Sequence, residues 1–135
     1  HSVKELREIG LQADFLVCRS EKTIDEGLKK KIALFCSVKP EHVIAAKDAQ
    51  TIYEVPLNLH RENLDSLILE FLELQGEKPQ LKGWESIVKI LHSPAKSVKI
   101  AVVGKYVDLK ESYKSLNEAI VHGGIANNSM VEIVY

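Results

Sequence analysis

The chain has 135 residues, of which 45% are hydrophobic and 27% are charged, a balance typical of a soluble globular protein with about one domain's worth of core. Its formal net charge of −1 argues against a nucleic-acid partner, because a phosphate-backbone binder carries a basic excess. No apolar run approaches the ~20 residues that a membrane-spanning helix needs, and no signal peptide begins at His1. We therefore expect neither a nucleic-acid partner nor a membrane.

The positions of the cysteines and histidines do not match the sequence pattern of a catalytic or metal-binding site. Cys18 and Cys36 each lie in an apolar run, which favours reduced core thiols in a cytosolic protein over a catalytic nucleophile. The five histidines are scattered, and none pairs with Cys, Asp or Glu at metal-ligand spacing. We therefore predict no metal site in this chain.

The first elements in chain order are a helix, a buried strand and a second helix. Capping boxes of the form S/T-x-x-E begin at Ser2 and Thr23 and predict helices that start at Val3 and directly after Thr23. The first helix should end at Gly10 in a left-handed conformation, and the second should run to about Cys36. The apolar run 14–18 between them predicts the strand.

Polar side chains follow two predicted strands where each strand ends. Residues 19–22 come after the strand 14–18, and residues 47–49 come after a second apolar run, 43–46. Ligands of open parallel sheets bind at the carboxyl ends of the strands, so the two loops are candidates for a nucleotide site. Ordinary connecting loops are the alternative.

A basic run, Lys29 to Lys31, lies within the second predicted helix. A solvated helix face is the simplest interpretation. Lys31, however, lies four residues before Phe35, so the two side chains share a helical face. A cation and an aromatic ring together can hold a phosphate and a base, whereas packing of Phe35 in the core, with Leu28 and Ile32, explains the aromatic residue equally well.

The middle of the chain is predicted to be helical. A short turn over 51–56 should end at Pro56, and an amphipathic helix should run over 62–74 and stop at Gly76. The predicted segments that follow are a loop over 75–83, an amphipathic helix over 84–91, and a domain junction over 93–97.

The last part of the chain has the pattern of a β-α-β unit. The strand 99–103 is followed by a helix that Gly123 and Gly124 should close, and 130–135 is a second strand. The strands should be parallel, with a right-handed crossover. Because parallel strands need helices on both faces, a new α/β domain begins near Val98 and is unfinished at Tyr135, and we expect the chain to be an internal piece of a larger protein.

Short catalytic motifs are missing from the sequence. Gly104-Lys105-Tyr106 lacks the spacing of a phosphate loop, and no G-x-G-x-x-G, G-x-S-x-G or H-E-x-x-H is present. Composition and spacing alone indicate an α/β protein of undefined activity.

Two groups of segments nevertheless resemble the CTP synthase family closely, and they occur in the family's order over nearly the whole chain. The segments are 1–6, 18–20, 31–36, 43–44, 47–49 and 52–53 in the first group, and 103–109, 112–115, 118–119 and 122–124 in the second.

The resemblance implies an α/β fold in three parts. Residues 1–74 would be the C-terminal part of a Rossmann-like, P-loop-type parallel-sheet amidoligase (synthetase) domain. Residues 75–97 would be a helical interdomain linker, and residues 98–135 the first β-α-β of a class I glutamine amidotransferase (glutaminase) domain.

The family's activity is implied in the same way. CTP synthase is a cytoplasmic, tetrameric ligase of pyrimidine biosynthesis that makes CTP from UTP, ATP and glutamine. ATP and Mg²⁺ phosphorylate the 4-oxygen of UTP, and ammonia released from glutamine displaces the phosphate. GTP activates ammonia delivery as an allosteric effector, and CTP inhibits at a site that overlaps the UTP site.

Site residues are implied by position in the family's motifs. Lys31 matches a lysine that binds the UTP/CTP triphosphate, with Phe35 beside it. Lys47, Asp48 and Ala49 match the segment that contacts ATP; the family usually has Val at the position of Ala49, a difference that a main-chain contact would tolerate. The resemblance also implies that Lys105, Tyr106 and Lys114 lie near the interdomain cleft and are related to the action of GTP.

The family's catalytic groups have no counterpart here. Its phosphate loop and magnesium carboxylates would precede His1, its glutaminase triad would follow Tyr135, and neither Cys18 nor Cys36 matches the catalytic cysteine. The segment alone should therefore be inactive. The alternatives are a non-catalytic interaction module, with helices over 62–91 that bind a partner, and another α/β nucleotide-binding ligase.

Overall fold

Short pairs of parallel strands, each connected through a helix, form the framework of the computed structural model. The structure describes the backbone of residues 1–135 and the side chains of residues 1–109 and 111–135. The chain divides into two units, His1–Leu81 and Lys82–Tyr135. The prediction of a mixed α/β protein with parallel strands is confirmed.

Helices and strands alternate through most of the chain. In order they are α1 (Ser2–Glu8), β1 (Leu16–Ser20), α2 (Glu26–Cys36), β2 (Val43–Lys47), α3 (Val55–Arg61), α4 (Leu64–Phe71), α5 (Lys82–His92), β3 (Lys96–Ala101), α6 (Lys114–Ala126) and β4 (Ser129–Val134), with 3₁₀ turns at Pro40–His42, Ile52–Glu54 and Lys110–Tyr113.

The core of the first unit is centred on β2. Val43 and Ile44 are each 1% exposed, as expected for β-branched residues on a strand that helices cover. Strand β2 pairs with β1 in parallel and packs against both α2 and α3. The register aligns Ser20 with Lys47, so both strands end at the same edge of the sheet.

Neither predicted capping box caps its helix. Helix α1 begins at Ser2, one residue before the predicted start, and its N-cap residue His1 makes no side-chain capping hydrogen bond. Helix α2 is capped by Asp25, whose carboxylate accepts a hydrogen bond of 2.7 Å from the Leu28 N–H. A carboxylate satisfies a free N–H of the first turn and interacts favourably with the helix dipole, so α2 begins two residues after the position that Thr23 would set.

Helix α1 ends as predicted, with Gly10 in a left-handed conformation. Gly10 has φ +83°, its N–H donates to the Arg7 carbonyl, and the Leu11 N–H donates to the Leu6 carbonyl. These two bonds form a Schellman motif, which requires a left-handed residue that glycine adopts without strain.

The helix predicted over 62–74 is confirmed as α4, which is shorter at both ends and runs from Leu64 to Phe71. Asn63 has φ +57° and separates α3 from α4, since asparagine tolerates the left-handed region better than most residues. Pro56 lies in the first turn of α3, where its missing N–H costs nothing, so it helps begin a helix and does not end the turn. Helix α4 is closed at Glu73 (φ +54°), before Gly76, by a hydrogen bond from the Leu74 N–H to the Leu69 carbonyl.

In the second unit the predicted β-α-β unit is confirmed. Strands β3 and β4 pair in parallel, from Lys96 opposite Ser129 to Ala101 opposite Val134, and α5 packs against α6 and β4. The predicted helix end at Gly123 and Gly124 is wrong, because α6 continues to Ala126. Gly124 instead allows close packing: a Cβ there would lie 2.7 Å from the Ser129 carbonyl oxygen.

Candidate functional site

A cleft of about 550 Å³ opens at the carboxyl edge of the β1–β2 sheet. This is the edge at which the sequence predicted that two polar loops would meet. The residues that line the cleft are Val17, Arg19, Ala46, Lys47, Asp48, Ala49, Thr51, Ile52, Val55, Asn58 and Leu59.

An ion pair joins the two strand ends inside the cleft. Arg19 Nε donates to Asp48 Oδ1 over 2.7 Å, and the Asp48 N–H donates to the Ser20 carbonyl over 2.9 Å. The hydrogen bond to Asp48 raises the pKa of Arg19 above its ordinary value. The predicted convergence of the two loops is therefore confirmed, and it places a guanidinium, a carboxylate and the Lys47 segment together.

Part of the cleft wall is apolar and open to solvent. Val17, Ile52 and Val55 all line the cleft and remain exposed. Exposed aliphatic side chains beside polar groups are what a flat, partly apolar ligand such as a nucleobase requires.

Sequence reasoning did not select Arg19 as a site residue. The predicted strand 14–18 left Arg19 in a loop, whereas the structure pairs it with Ala46 inside β1. The sequence did offer one indication. Arg19 lies near the end of the first strand, and the end of the second strand, at Lys47, was expected at the same edge of the sheet.

Lys31 and Phe35 lie on α2 and are exposed. Phe35 is 72% exposed, so the alternative in which it packs in the core is wrong for this structure; Ala33 is the buried residue of α2. Lys31 is not among the residues that line the cleft. The cleft therefore contains Lys47 without Lys31, and the nucleotide roles of Lys31 and Phe35 stay predictions.

The solvated-face interpretation of the basic run is wrong for Lys29. Its Nζ lies 2.7 Å from Glu62 Oε2, and the side chain is 15% exposed. Glu62 Oε2 also accepts a hydrogen bond of 3.0 Å from the Ala45 N–H. The hydrogen bond to Glu62 raises the pKa of Lys29. Burial acts to raise the pKa of Glu62, but the hydrogen bonds from Lys29 and Ala45 outweigh it and lower that pKa.

The candidate residues of the second unit follow strand β3. Tyr106 is exposed and has φ +60°, a left-handed conformation that is uncommon for an aromatic residue. The Tyr113 hydroxyl donates to the Lys105 carbonyl, and Gly104 leaves the space that the hydroxyl occupies. Lys114 is the first residue of α6 and is exposed.

Neither metal nor thiol chemistry is supported by the described side chains. Among residues 1–109 and 111–135, no three His, Cys, Asp or Glu side chains form a group that could hold a metal ion. Cys18 and Cys36 are free thiols, and burial raises the pKa of Cys18, which lowers the reactive thiolate fraction. Within the part of the chain that the structure describes, no helix is both long and apolar enough to cross a bilayer.

Comparisons with known proteins agree on one family. A family model described as the CTP synthase N-terminus matches residues 1–74. CTP synthase of Bdellovibrio bacteriovorus is 71% identical over 135 residues, which cover 100% of this chain. CTP synthases of Syntrophus aciditrophicus and Geobacter sulfurreducens are each 54% identical, over 98% and 100% of the chain. The chain spans about a quarter (25%) of the length of these relatives, and it belongs to the CTP synthase family.

Proposed function

We propose that this chain is an internal segment of a cytoplasmic CTP synthase. Residues 1–74 form the end of its Rossmann-like amidoligase domain, 75–97 the linker, and 98–135 the first β-α-β of its class I glutamine amidotransferase domain. The family match to residues 1–74 supports the first assignment. The parallel β3–α6–β4 unit and the similarity to relatives along the whole chain support the last.

The intact enzyme makes CTP from UTP, ATP and glutamine-derived ammonia through a UTP intermediate phosphorylated at its 4-oxygen. The segment contributes binding surfaces to the intact enzyme and is inactive alone, since it spans about a quarter (25%) of the length of its relatives. The Mg²⁺ that accompanies ATP does not fit here: Asp48 is the carboxylate among the residues that line the cleft, and it is paired with Arg19.

The observation that carries the proposal is the position of Lys47, Asp48 and Ala49 in one cleft. Its exposed aliphatic wall suits the adenine ring of ATP. Arg19 and Lys47 supply positive charge, which favours an anionic phosphate chain.

Lys31 and Phe35 form a separate surface, which we assign to UTP and CTP. Leu34 and Phe35 are both strongly exposed, and large exposed apolar residues mark interaction sites. A neighbouring subunit of the homotetramer completes this surface. Lys105, Tyr106 and Lys114 belong to the glutaminase side of the interdomain cleft, where GTP acts.

A segment exchange tests the function. The 135 residues replace the matching segment of the B. bacteriovorus CTP synthase, and CTP formation is followed with ATP, UTP and glutamine. We expect the chimera to make CTP. A second chimera with Lys47→Ala and Asp48→Ala should need much more ATP. A folded first chimera that hydrolyses glutamine but makes no CTP would refute the proposal.

A further inference from the structure

Glu62 connects three elements of the first unit. It directly follows α3, and its Oε2 accepts hydrogen bonds from Lys29 Nζ on α2 at 2.7 Å and from the Ala45 N–H on β2 at 3.0 Å. A single carboxylate oxygen therefore bridges two helices and a strand. We call these three residues the Glu62 junction.

The Glu62 junction is shielded from solvent more than ordinary surface ion pairs are. The side chains of Lys29 and Glu62 are 15% and 25% exposed. Glu26, the other carboxylate near Lys29 Nζ, is 3.6 Å away and 77% exposed. Water screens the charges of a half-buried ion pair much less than those of an exposed one. The Lys29–Glu62 contact, and not the Lys29–Glu26 contact, is therefore the one that fixes α2 relative to β2 and the end of α3.

Both residues that donate to Glu62 lie close in sequence to a residue with a proposed ligand role. Ala45 lies two positions before Lys47 on the same strand, and Lys29 lies two positions before Lys31 on the same helix. Helix α3, which ends just before Glu62, supplies Asn58 and Leu59 to the wall of the cleft. The junction therefore connects both proposed nucleotide surfaces without lining the cleft itself.

We propose that Glu62 is a positioning residue that ties the α3 wall of the cleft to β2 and fixes both relative to the α2 surface. It rests on the proposed function, in which the cleft takes ATP and the α2 surface takes UTP and CTP. Without the junction, α3 and the Lys47 segment shift relative to each other, and the ATP cleft loses its preorganised width.

Steady-state kinetics of the full-length enzyme that carries this segment test the proposal. Glu62→Ala and Lys29→Met remove the junction, and Lys29→Arg keeps a donor for the carboxylate. Matched controls are Glu26→Gln and Lys30→Met, which alter neighbouring exposed charges. We expect the KM for ATP and the half-saturating UTP concentration to rise about fivefold in the first two variants, at the low end of coupling between sites. Lys29→Arg and both controls should stay near the unaltered enzyme.

Thermal unfolding of every variant separates positioning from general stability. Kinetics measured well below the unfolding temperature should still show the rise in KM, with a smaller change in kcat. A lower unfolding temperature with unchanged KM values would overturn the positioning role and leave the proposed function standing. An unaltered enzyme that makes no CTP would refute the proposed function, and the positioning role with it.

Discussion

Asp48→Ala in the full-length enzyme should raise the ATP requirement and leave glutamine hydrolysis largely intact. The substitution removes the carboxylate of the cleft and the partner of Arg19, 2.7 Å away. The proposed contact of Asp48 with ATP, at a side chain that is 41% exposed, is worth an ordinary hydrogen bond of about 0.5–1.5 kcal/mol. Its loss corresponds to a rise of about twofold to tenfold in the KM for ATP.

The assay is CTP formation as a function of ATP concentration, with glutamine hydrolysis measured in parallel. Glu21→Ala is the matched control, because Glu21 is an exposed carboxylate of the neighbouring loop that does not line the cleft. Thermal unfolding should change little, since exposed ion pairs add little stability. Loss of glutamine hydrolysis without any change in the ATP requirement would refute the reasoning.

Three further predictions concern other parts of the chain. Lys31→Ala should weaken UTP saturation and CTP inhibition together, and unchanged UTP kinetics would contradict the assignment. Asn117→Leu should raise the free energy of unfolding by about 1 kcal/mol, because Asn117 Oδ1 is buried without a partner among the described residues; a destabilised variant would count against this. Folding lowers the pKa of Glu62 from its ordinary value of 4.5 and raises that of Lys29 from its ordinary value of 10.5. The ion pair should therefore contribute its full stabilisation of the folded state between pH 4.5 and pH 10.5. The stability difference between the unaltered enzyme and Glu62→Gln should therefore shrink as the pH falls through the lowered pKa of Glu62, and a constant difference in acid would be the opposite result.

Local hydrophobic patterns predicted the strands and most helices, because burial of apolar residues determines where these elements form. The 43–46 run became β2 with little change, and the predicted helix over 84–91 lies within α5. Backbone breaks were harder to predict. Asn63 and Glu73 adopt left-handed conformations inside a continuous apolar pattern, and nothing in the periodicity marks them.

The candidate site was predicted in part, since parallel strands bring their carboxyl ends together by topology. From the sequence alone, that rule predicts that residues 19–22 lie near residues 47–49. The contribution of Glu62 was not predicted, because Lys29 and Glu62 lie 33 residues apart and their contact depends on how α2, β2 and α3 pack. The exposure of Phe35 could not be predicted either. An apolar residue on a helix gives the same sequence pattern whether it packs against its own chain or against a partner.

Photo-cross-linking with 8-azido-ATP tests the central claim most directly. The full-length enzyme is irradiated with the nucleotide, digested and mapped by mass spectrometry, with excess ATP as competitor. The account predicts ATP-protected label on the strand β1 end near Arg19 or on the segment from Ala46 to Leu59, which together line the cleft. Label that ATP displaces exclusively from other parts of the enzyme would contradict it.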